Sequence, residues 1–477
     1  MELREHCGFC VTHTLHDAYN FIKDLRHRGK EGVGIGAVSN ERIDAIKWIG
    51  PMERFDVNAL HIIFPVRKYG YHTFFAHCRY ATRGQEDRLL EDTHPFVIGG
   101  TVTRKKSHIH IRDCEAAIVH NGQVDIASLG LANAPSALDN RCDTESLLHY
   151  YREKSELEIL RNIPGAYTLA IADKRKKEVI VLRDRTGLRP GFLGYKDGKY
   201  CVASEDITIR KNGGIAIENL APGTAYYLSP KGDYRKEQVV QPNLRHCFFE
   251  WNYFSDVEST LDHVPVASVR YFLGEEHARE FRPGDAHVTA FLPRCPEPAA
   301  RRYADITGIP FVEALVKQKN ERAFMGTREE ERKTSIEETL EIHPDIGTSL
   351  QGKNVVLIDD SLVRGNNSIY ARDLLRGIGV NKIYLLSYTP PIGIMGNDGT
   401  PRGCMFGVDM PPTDKFIARN RTQEQISEML GMHIHYLSIS GMLRAFQKAG
   451  MPSENLCTYC IGGGHPFDFE ASRIENH

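Results

Sequence analysis

The sequence predicts two domains of different class, an α+β first half and a parallel α/β second half. Three observations carry this. The chain has 477 residues, more than one hydrophobic core supports. Ahead of residues 221–244, short β-branched and aromatic runs are separated by Gly, Asn and Asp turns, the pattern of antiparallel hairpins. Beyond them, apolar strands alternate with helical stretches, as in a parallel sheet covered by helices.

In the first half the strands fall at 33–38, 73–77, 116–120, 167–173 and 179–183. Apolar residues at helical spacing predict helices over 15–26 and 144–159. Ala221-Pro222-Gly223 and a polar stretch then mark the change of domain. In the second half, helices are predicted near 275–281, 299–307 and 369–377, and strands at 288–292, 355–358 and 383–387. Residues 320–347 are charged and poor in apolar side chains, which fits a flap or an exposed helix.

Composition narrows the function classes. Hydrophobic residues make up 41% and charged residues 26%, an ordinary globular mix. Lys+Arg (60) nearly balance Asp+Glu (62), so no basic field argues for nucleic acid. No apolar run is long enough to span a membrane, and the polar start carries no signal-peptide stretch. A cytoplasmic protein is the expectation. Eleven cysteines, irregularly spaced, fit reduced thiols, metal ligation or catalysis better than a disulfide framework.

The sharpest motif follows the strand at 355–358. Asp359 and Asp360 end that strand, and Ser361, Arg364, Gly365, Asn366, Asn367 and Ser368 form a small polar loop opening a helix. Such a loop offers backbone N–H groups to a phosphate, and paired carboxylates can accept from vicinal ribose hydroxyls. An N-capping Asp and an ordinary turn is the bland reading. The run Asp359-Asp360-Ser361-Leu362-Val363-Arg364-Gly365 closely resembles the phosphoribosyl pyrophosphate signature of type I phosphoribosyltransferases. It is most similar to the form found in glutamine phosphoribosylpyrophosphate amidotransferases.

Near the start stand Cys7-Gly8-Phe9-Cys10 and Leu25-Arg26-His27-Arg28-Gly29-Lys30-Glu31-Gly32. Together they resemble the N-terminal-nucleophile glutaminase of the same family. The resemblance implies removal of a propeptide, residues 1–6, to leave Cys7 first. A thiolate attacks an amide carbonyl well, and a free α-amino group is a suitable base near neutral pH. His77-Cys78-Arg79-Tyr80-Ala81-Thr82-Arg83-Gly84 is similar to the family's substrate segment and implies Arg79 on glutamine's α-carboxylate. His120-Asn121-Gly122 implies an oxyanion hole from the Asn121 side chain and the Gly122 amide. Asp143, in Cys142-Asp143-Thr144-Glu145, implies a partner for the α-amino group. Taken singly, these are a surface salt bridge, a hairpin turn and a helix cap. Segments 182–190, 203–205, 249–254 and 266–270 also resemble the family and are read as scaffold.

Cys457-Thr458-Tyr459-Cys460 alone could be a zinc half-site, a redox pair or two unconnected thiols. Resemblance to the family's iron–sulfur branch implies that Cys247, Cys404, Cys457 and Cys460 hold a [4Fe–4S] cluster, with structural zinc as the alternative.

The resemblance implies a propeptide (1–6), an αββα glutaminase (7–235) and a type I phosphoribosyltransferase domain with a cluster-binding tail (236–477). It implies transfer of ammonia from glutamine to C1 of phosphoribosyl pyrophosphate, the first step of purine synthesis. Mg²⁺ on the pyrophosphate, with Asp359 and Asp360 as candidate ligands, is expected. So are purine nucleotides as feedback inhibitors and a homo-oligomer, dimer or tetramer. Four segments depart from the family. They are Pro293-Arg294-Cys295-Pro296-Glu297-Pro298, Lys319-Asn320-Glu321-Arg322-Ala323-Phe324, Asn366-Asn367-Ser368 and, more mildly, Gln85. They leave two other readings open: a paralog delivering ammonia to another phosphoribosyl-like acceptor, or a non-catalytic nucleotide sensor.

Overall fold

The alternating strands of the first half form two antiparallel sheets stacked face to face. A computed structural model describes residues 7–79, 88–124, 142–317, 340–404, 406, 408, 410–413 and 415–467. The larger sheet has Gly8–Thr12, Thr73–Arg79, Gly32–Val38 and Ile43–Ile49 as successive neighbours. The smaller runs Phe96–Ile98, Ala116–Val124, Gly165–Asp173, Val179–Arg183, Thr224–Leu228, Tyr234–Gln238. Phe9, Val11 and Phe75 of one sheet meet Val119, Ala170 and Val181 of the other in a common core.

Both sheets need cover on their outer faces. The helix Leu15–Asp24 buries Leu15, Ala18, Phe21 and Ile22 against the first, and Thr14 caps it by accepting from the Asp17 amide at 3.0 Å. The helix Asp143–Glu153 buries Leu147, Leu148 and Tyr151 against the second. The layers are therefore αββα, as the resemblance implies. The single helix expected over 144–159 is two, Asp143–Glu153 and Glu156–Asn162, because Ser155 breaks the run and caps the second through the Glu158 amide. The strand Tyr234–Gln238 pairs along its length with Thr224–Leu228, so the first domain continues past the expected boundary at 235/236.

In the second half, Val288–Phe291, Asn354–Asp359, Lys382–Ser387 and His433–Tyr436 lie side by side, all parallel. Both faces carry apolar clusters, which is why these strands read as continuous hydrophobic runs. Helices Val266–Glu280, Glu297–Thr307 and Asn366–Gly377 accompany them. The first begins well ahead of the expected 275, directly after Pro265. Of the charged stretch 320–347, Leu340–Ile342 forms a strand with Leu315–Lys317. Among the described residues no helix is long and apolar enough to cross a membrane. The propeptide 1–6, residues 80–84 of the substrate segment, Gln85, the run 319–324 and the tail beyond Phe467 lie outside the described residues.

Candidate active sites

Cys7 immediately precedes the strand Gly8–Thr12, where Gly8 stands opposite Cys78 of Thr73–Arg79. This brings Cys7 to the strand end that carries Arg79. Arg79 is buried, donates to the Leu89 carbonyl at 3.0 Å and lies 3.8 Å from Asp92. His77 joins the two sheets, its Nε2 meeting the His120 carbonyl at 3.1 Å. The next residue, Asn121, sits at the same end of the sandwich.

Asn121 and Gly122 are not in a hairpin turn. They lie within Ala116–Val124, opposite Thr168 and Tyr167. The Asn121 side chain is wholly buried, and neither Oδ1 nor Nδ2 has a hydrogen-bond partner. An unpaired buried amide costs free energy, so its retention points to a ligand that completes it. Gly122 has φ +146°, and a Cβ there would lie 1.8 Å from the Ala166 carbonyl oxygen, so only glycine fits.

Asp143 is the first residue of its helix and Cys142 the cap position. Its Oδ2 accepts from the Val124 amide at 2.9 Å and its Oδ1 from the Thr144 amide at 2.8 Å. The carboxylate thus ties the end of the Asn121 strand to the helix and lies 4.0 Å from His120 Nδ1.

Behind Cys7 lies a charge cluster that motif reading passes over. Arg28, fully buried, donates to the Cys7 carbonyl at 3.1 Å, Glu205 at 2.7 Å, Ser255 at 3.2 Å and Glu250 at 2.9 Å. Arg189 joins the other side of Glu250 at 3.0 Å. Burial alone would raise the Glu205 carboxyl, but His27 and Arg28 outweigh it and hold it well below the usual range. The signal for the cluster was present in segments 203–205 and 249–254. What sequence could not reveal is that these segments converge on Arg28.

In the second domain, Asp359 and Asp360 stand at the carboxyl end of the parallel strand Asn354–Asp359. Both are nearly buried. Burial and their mutual repulsion raise Asp359 well above an ordinary carboxyl, and burial raises Asp360 as well, with Arg270 and Lys317 opposing. Ser361 donates its hydroxyl to Asp360 at 2.6 Å. Gly365, at φ +87°, ends the loop, and Asn366 and Asn367 lie exposed on the first turn of Asn366–Gly377, with Ser368 buried. Arg364 is half-buried in the same loop. In the proline-rich segment, Pro296 and Pro298 occupy the cap and first turn of Glu297–Thr307, where helix N–H groups lack intrahelical partners anyway.

Cys247, Cys404, Cys457 and Cys460 all line one pocket, together with Arg189, Phe406 and Tyr459. Cys247 and Cys457 are paired across a short parallel bridge, which brings the C-terminal tail to the start of the domain. The Phe406 amide donates to Cys404 Sγ at 3.4 Å. Burial, with repulsion from the neighbouring thiols, pushes the Cys457 thiol up to about 12 and raises Cys247 and Cys460 further. Among the described residues, no three His, Cys, Asp or Glu side chains converge as ligands of one metal ion.

Known proteins resemble the chain along most of its length. A family model described as a glutamine amidotransferase domain matches residues 108–245. The amidophosphoribosyltransferase of Methanothermobacter thermautotrophicus is 28% identical over 491 residues, covering 98% of this chain and 95% of that protein. That of Bacillus subtilis strain 168 is 27% identical, covering 96% and 93%. The solved B. subtilis glutamine phosphoribosylpyrophosphate amidotransferase, complexed with ADP and GMP, superimposes with a TM-score of 0.78 at 26% identity. It covers 96% of this chain and 97% of its own.

Proposed function

We infer that this chain, a member of the amidophosphoribosyltransferase family, transfers glutamine's amide nitrogen to C1 of phosphoribosyl pyrophosphate. The observation that carries the reading is one chain with two sites: an unpartnered Asn121 amide on the strand whose end Asp143 holds, and an acidic pair ending a parallel strand. Arg79 takes the glutamine α-carboxylate and Asp143 the α-ammonium. The Cys7 sulfur bonds to the amide carbon, and the oxyanion is met by Asn121 Nδ2 and the Gly122 N–H. The Cys7 α-amino group takes the thiol proton as that bond forms and gives it to the nitrogen as the C–N bond breaks, so ammonia leaves. Water then hydrolyses the thioester to glutamate. Ammonia bonds to C1 of the ribose as pyrophosphate departs.

Asp359 and Asp360 accept from the ribose hydroxyls, while Ser361, Arg364, Gly365, Asn366, Asn367 and Ser368 surround the 5′-phosphate. Two carboxylates fit Mg²⁺, which takes few protein ligands when substrate phosphates supply the rest. Bound there, it would offset charge on the departing pyrophosphate. Nucleotide feedback and self-association are further proposals; the first is supported by the ADP and GMP in the B. subtilis structure.

The assay is glutamine- and phosphoribosyl pyrophosphate-dependent release of glutamate and pyrophosphate from anaerobically purified protein. Asp360→Asn lowers both glutamine- and ammonia-dependent synthesis by at least about tenfold, since hydrogen bonds to charged groups contribute ~1.5–3 kcal/mol. Unchanged kinetics would mean that this loop serves another acceptor.

A [4Fe–4S] cluster held by Cys247, Cys404, Cys457 and Cys460 is proposed on the same footing. Four cysteines lining one pocket are the usual complement of such a cluster, and an N–H donated to Cys404 sulfur would favour its thiolate. The cluster would pin the tail to the domain and close a long loop. Protein purified without oxygen is expected to be brown, with about four iron and four sulfide per chain. Cys457→Ser loses the colour and Cys114→Ser keeps it. Colourless protein with stoichiometric zinc would overturn the cluster.

A further inference from the structure

Three imidazoles are buried beside the Asp143 helix start, and one hydroxyl contacts two of them. His120 Nδ1 lies 3.0 Å and His94 Nε2 3.2 Å from Thr144 Oγ1. The His77 ring packs 4.0 Å from that of His94, and His77 Nε2 meets the His120 carbonyl. The remaining nitrogens, His77 Nδ1, His94 Nδ1 and His120 Nε2, are buried without partners. This fixes the protons. A carbonyl can only accept, so His77 carries its hydrogen on Nε2. A hydroxyl has two lone pairs and one hydrogen. With His94 and His120 both donating, the Thr144 hydrogen is left to point at Asp143 Oδ1, 3.4 Å away, and the Cys142 thiol, 3.6 Å from Thr144 Oγ1, donates to that same carboxylate oxygen at 3.4 Å. Each ring then has one used N–H and one bare nitrogen, and a second N–H on any of them would be buried with no acceptor.

We propose that Thr144 is a positioning residue for glutamine capture. Its hydroxyl joins His94 of the segment after Arg79, His120 of the oxyanion strand and the Asp143 carboxylate into one fixed unit. The oxygen that faces the substrate ammonium is thereby set relative to the Asn121 amide, one residue from His120. The Thr144 backbone amide already bonds Asp143, so the hydroxyl adds aim and not attachment. The proposal rests on Asp143 as the α-ammonium ligand.

Two variants separate hydroxyl from shape. Thr144→Val keeps the volume and removes the hydroxyl; Thr144→Ser keeps the hydroxyl and removes a methyl. Thr144→Val is expected to raise the glutamine KM by about tenfold or more, with ammonia-dependent synthesis unchanged, and Thr144→Ser to stay within about threefold of the parent. An unaltered glutamine KM in Thr144→Val overturns the proposal. So does a serine variant as impaired as the valine one, or loss of ammonia-dependent synthesis in the valine variant, since either makes the role one of packing. If Cys7→Ala retains glutamine-dependent turnover, the glutaminase reading itself fails, which is a separate outcome.

Discussion

Cys7→Ala abolishes glutamine-dependent product formation, by at least about a thousandfold, and spares synthesis from high free ammonia. Cys7 belongs to the αββα sandwich and the acidic pair to the parallel sheet, so the two half-reactions use separate side chains. Its two neighbouring cysteines, Cys10 on the same strand and Cys78 opposite Gly8, are poor replacements. Cys10 is fully buried with its thiol well above the ordinary range, because burial and then Cys78 and Cys201 oppose the thiolate. Cys78 is buried likewise and is pushed up to about 12. Steady-state rates with glutamine and with ammonium salts as nitrogen donor make the measurement. Glutamine-dependent turnover in the alanine variant would remove the nucleophile assignment. Mass spectrometry of active parent protein is expected to begin at Cys7, because only then is an α-amino group free to act as base.

Glu250→Ala destabilises the protein by about 3–5 kcal/mol, the usual consequence of leaving a buried charge without its partner. Glu250 is 1% exposed and bonds both Arg28, at 2.9 Å, and Arg189, at 3.0 Å. Removing it leaves Arg28 with Glu205 as its one carboxylate and takes away the carboxylate that Arg189 bonds. Arg28 also holds the Cys7 carbonyl, so glutamine-dependent turnover falls along with stability. Arg189 reaches the Phe406 carbonyl beside the cysteine pocket at 2.6 Å, which makes the same carboxylate a link between the two domains. Denaturant unfolding followed by circular dichroism gives the change. A loss below about 1 kcal/mol would place these pairs with surface salt bridges and discard the argument.

Much of the candidate site is legible without a structure because the chemistry proposed for it is local. Arg79, Asn121, Gly122 and Asp143 each sit in a short run whose residue types suit one task. The strand and turn that carry Asp359, Asp360 and Gly365 are specified by neighbours within ten positions. The sandwich and the parallel sheet are legible too, since strand periodicity and helix alternation are properties of consecutive residues. Boundaries are less so. The break at Ser155 depends on a side-chain cap, and the final strand Tyr234–Gln238 depends on its pairing with Thr224–Leu228. Neither leaves a strong periodic signal.

What only the tertiary structure decided is which distant groups share a dielectric. Sequence spacing cannot show that Glu250 lies between Arg28 and Arg189, or that the Thr144 hydroxyl lies within hydrogen-bond reach of both His94 and His120. The four cysteines span residues 247 to 460 yet line one pocket, where a parallel bridge sets Cys247 beside Cys457. Local residue types determine backbone conformation and candidate chemistry through short-range sterics and periodicity. Burial, charge balance and proton position arise from contacts between segments far apart in the chain, and these exist only once the layers have packed.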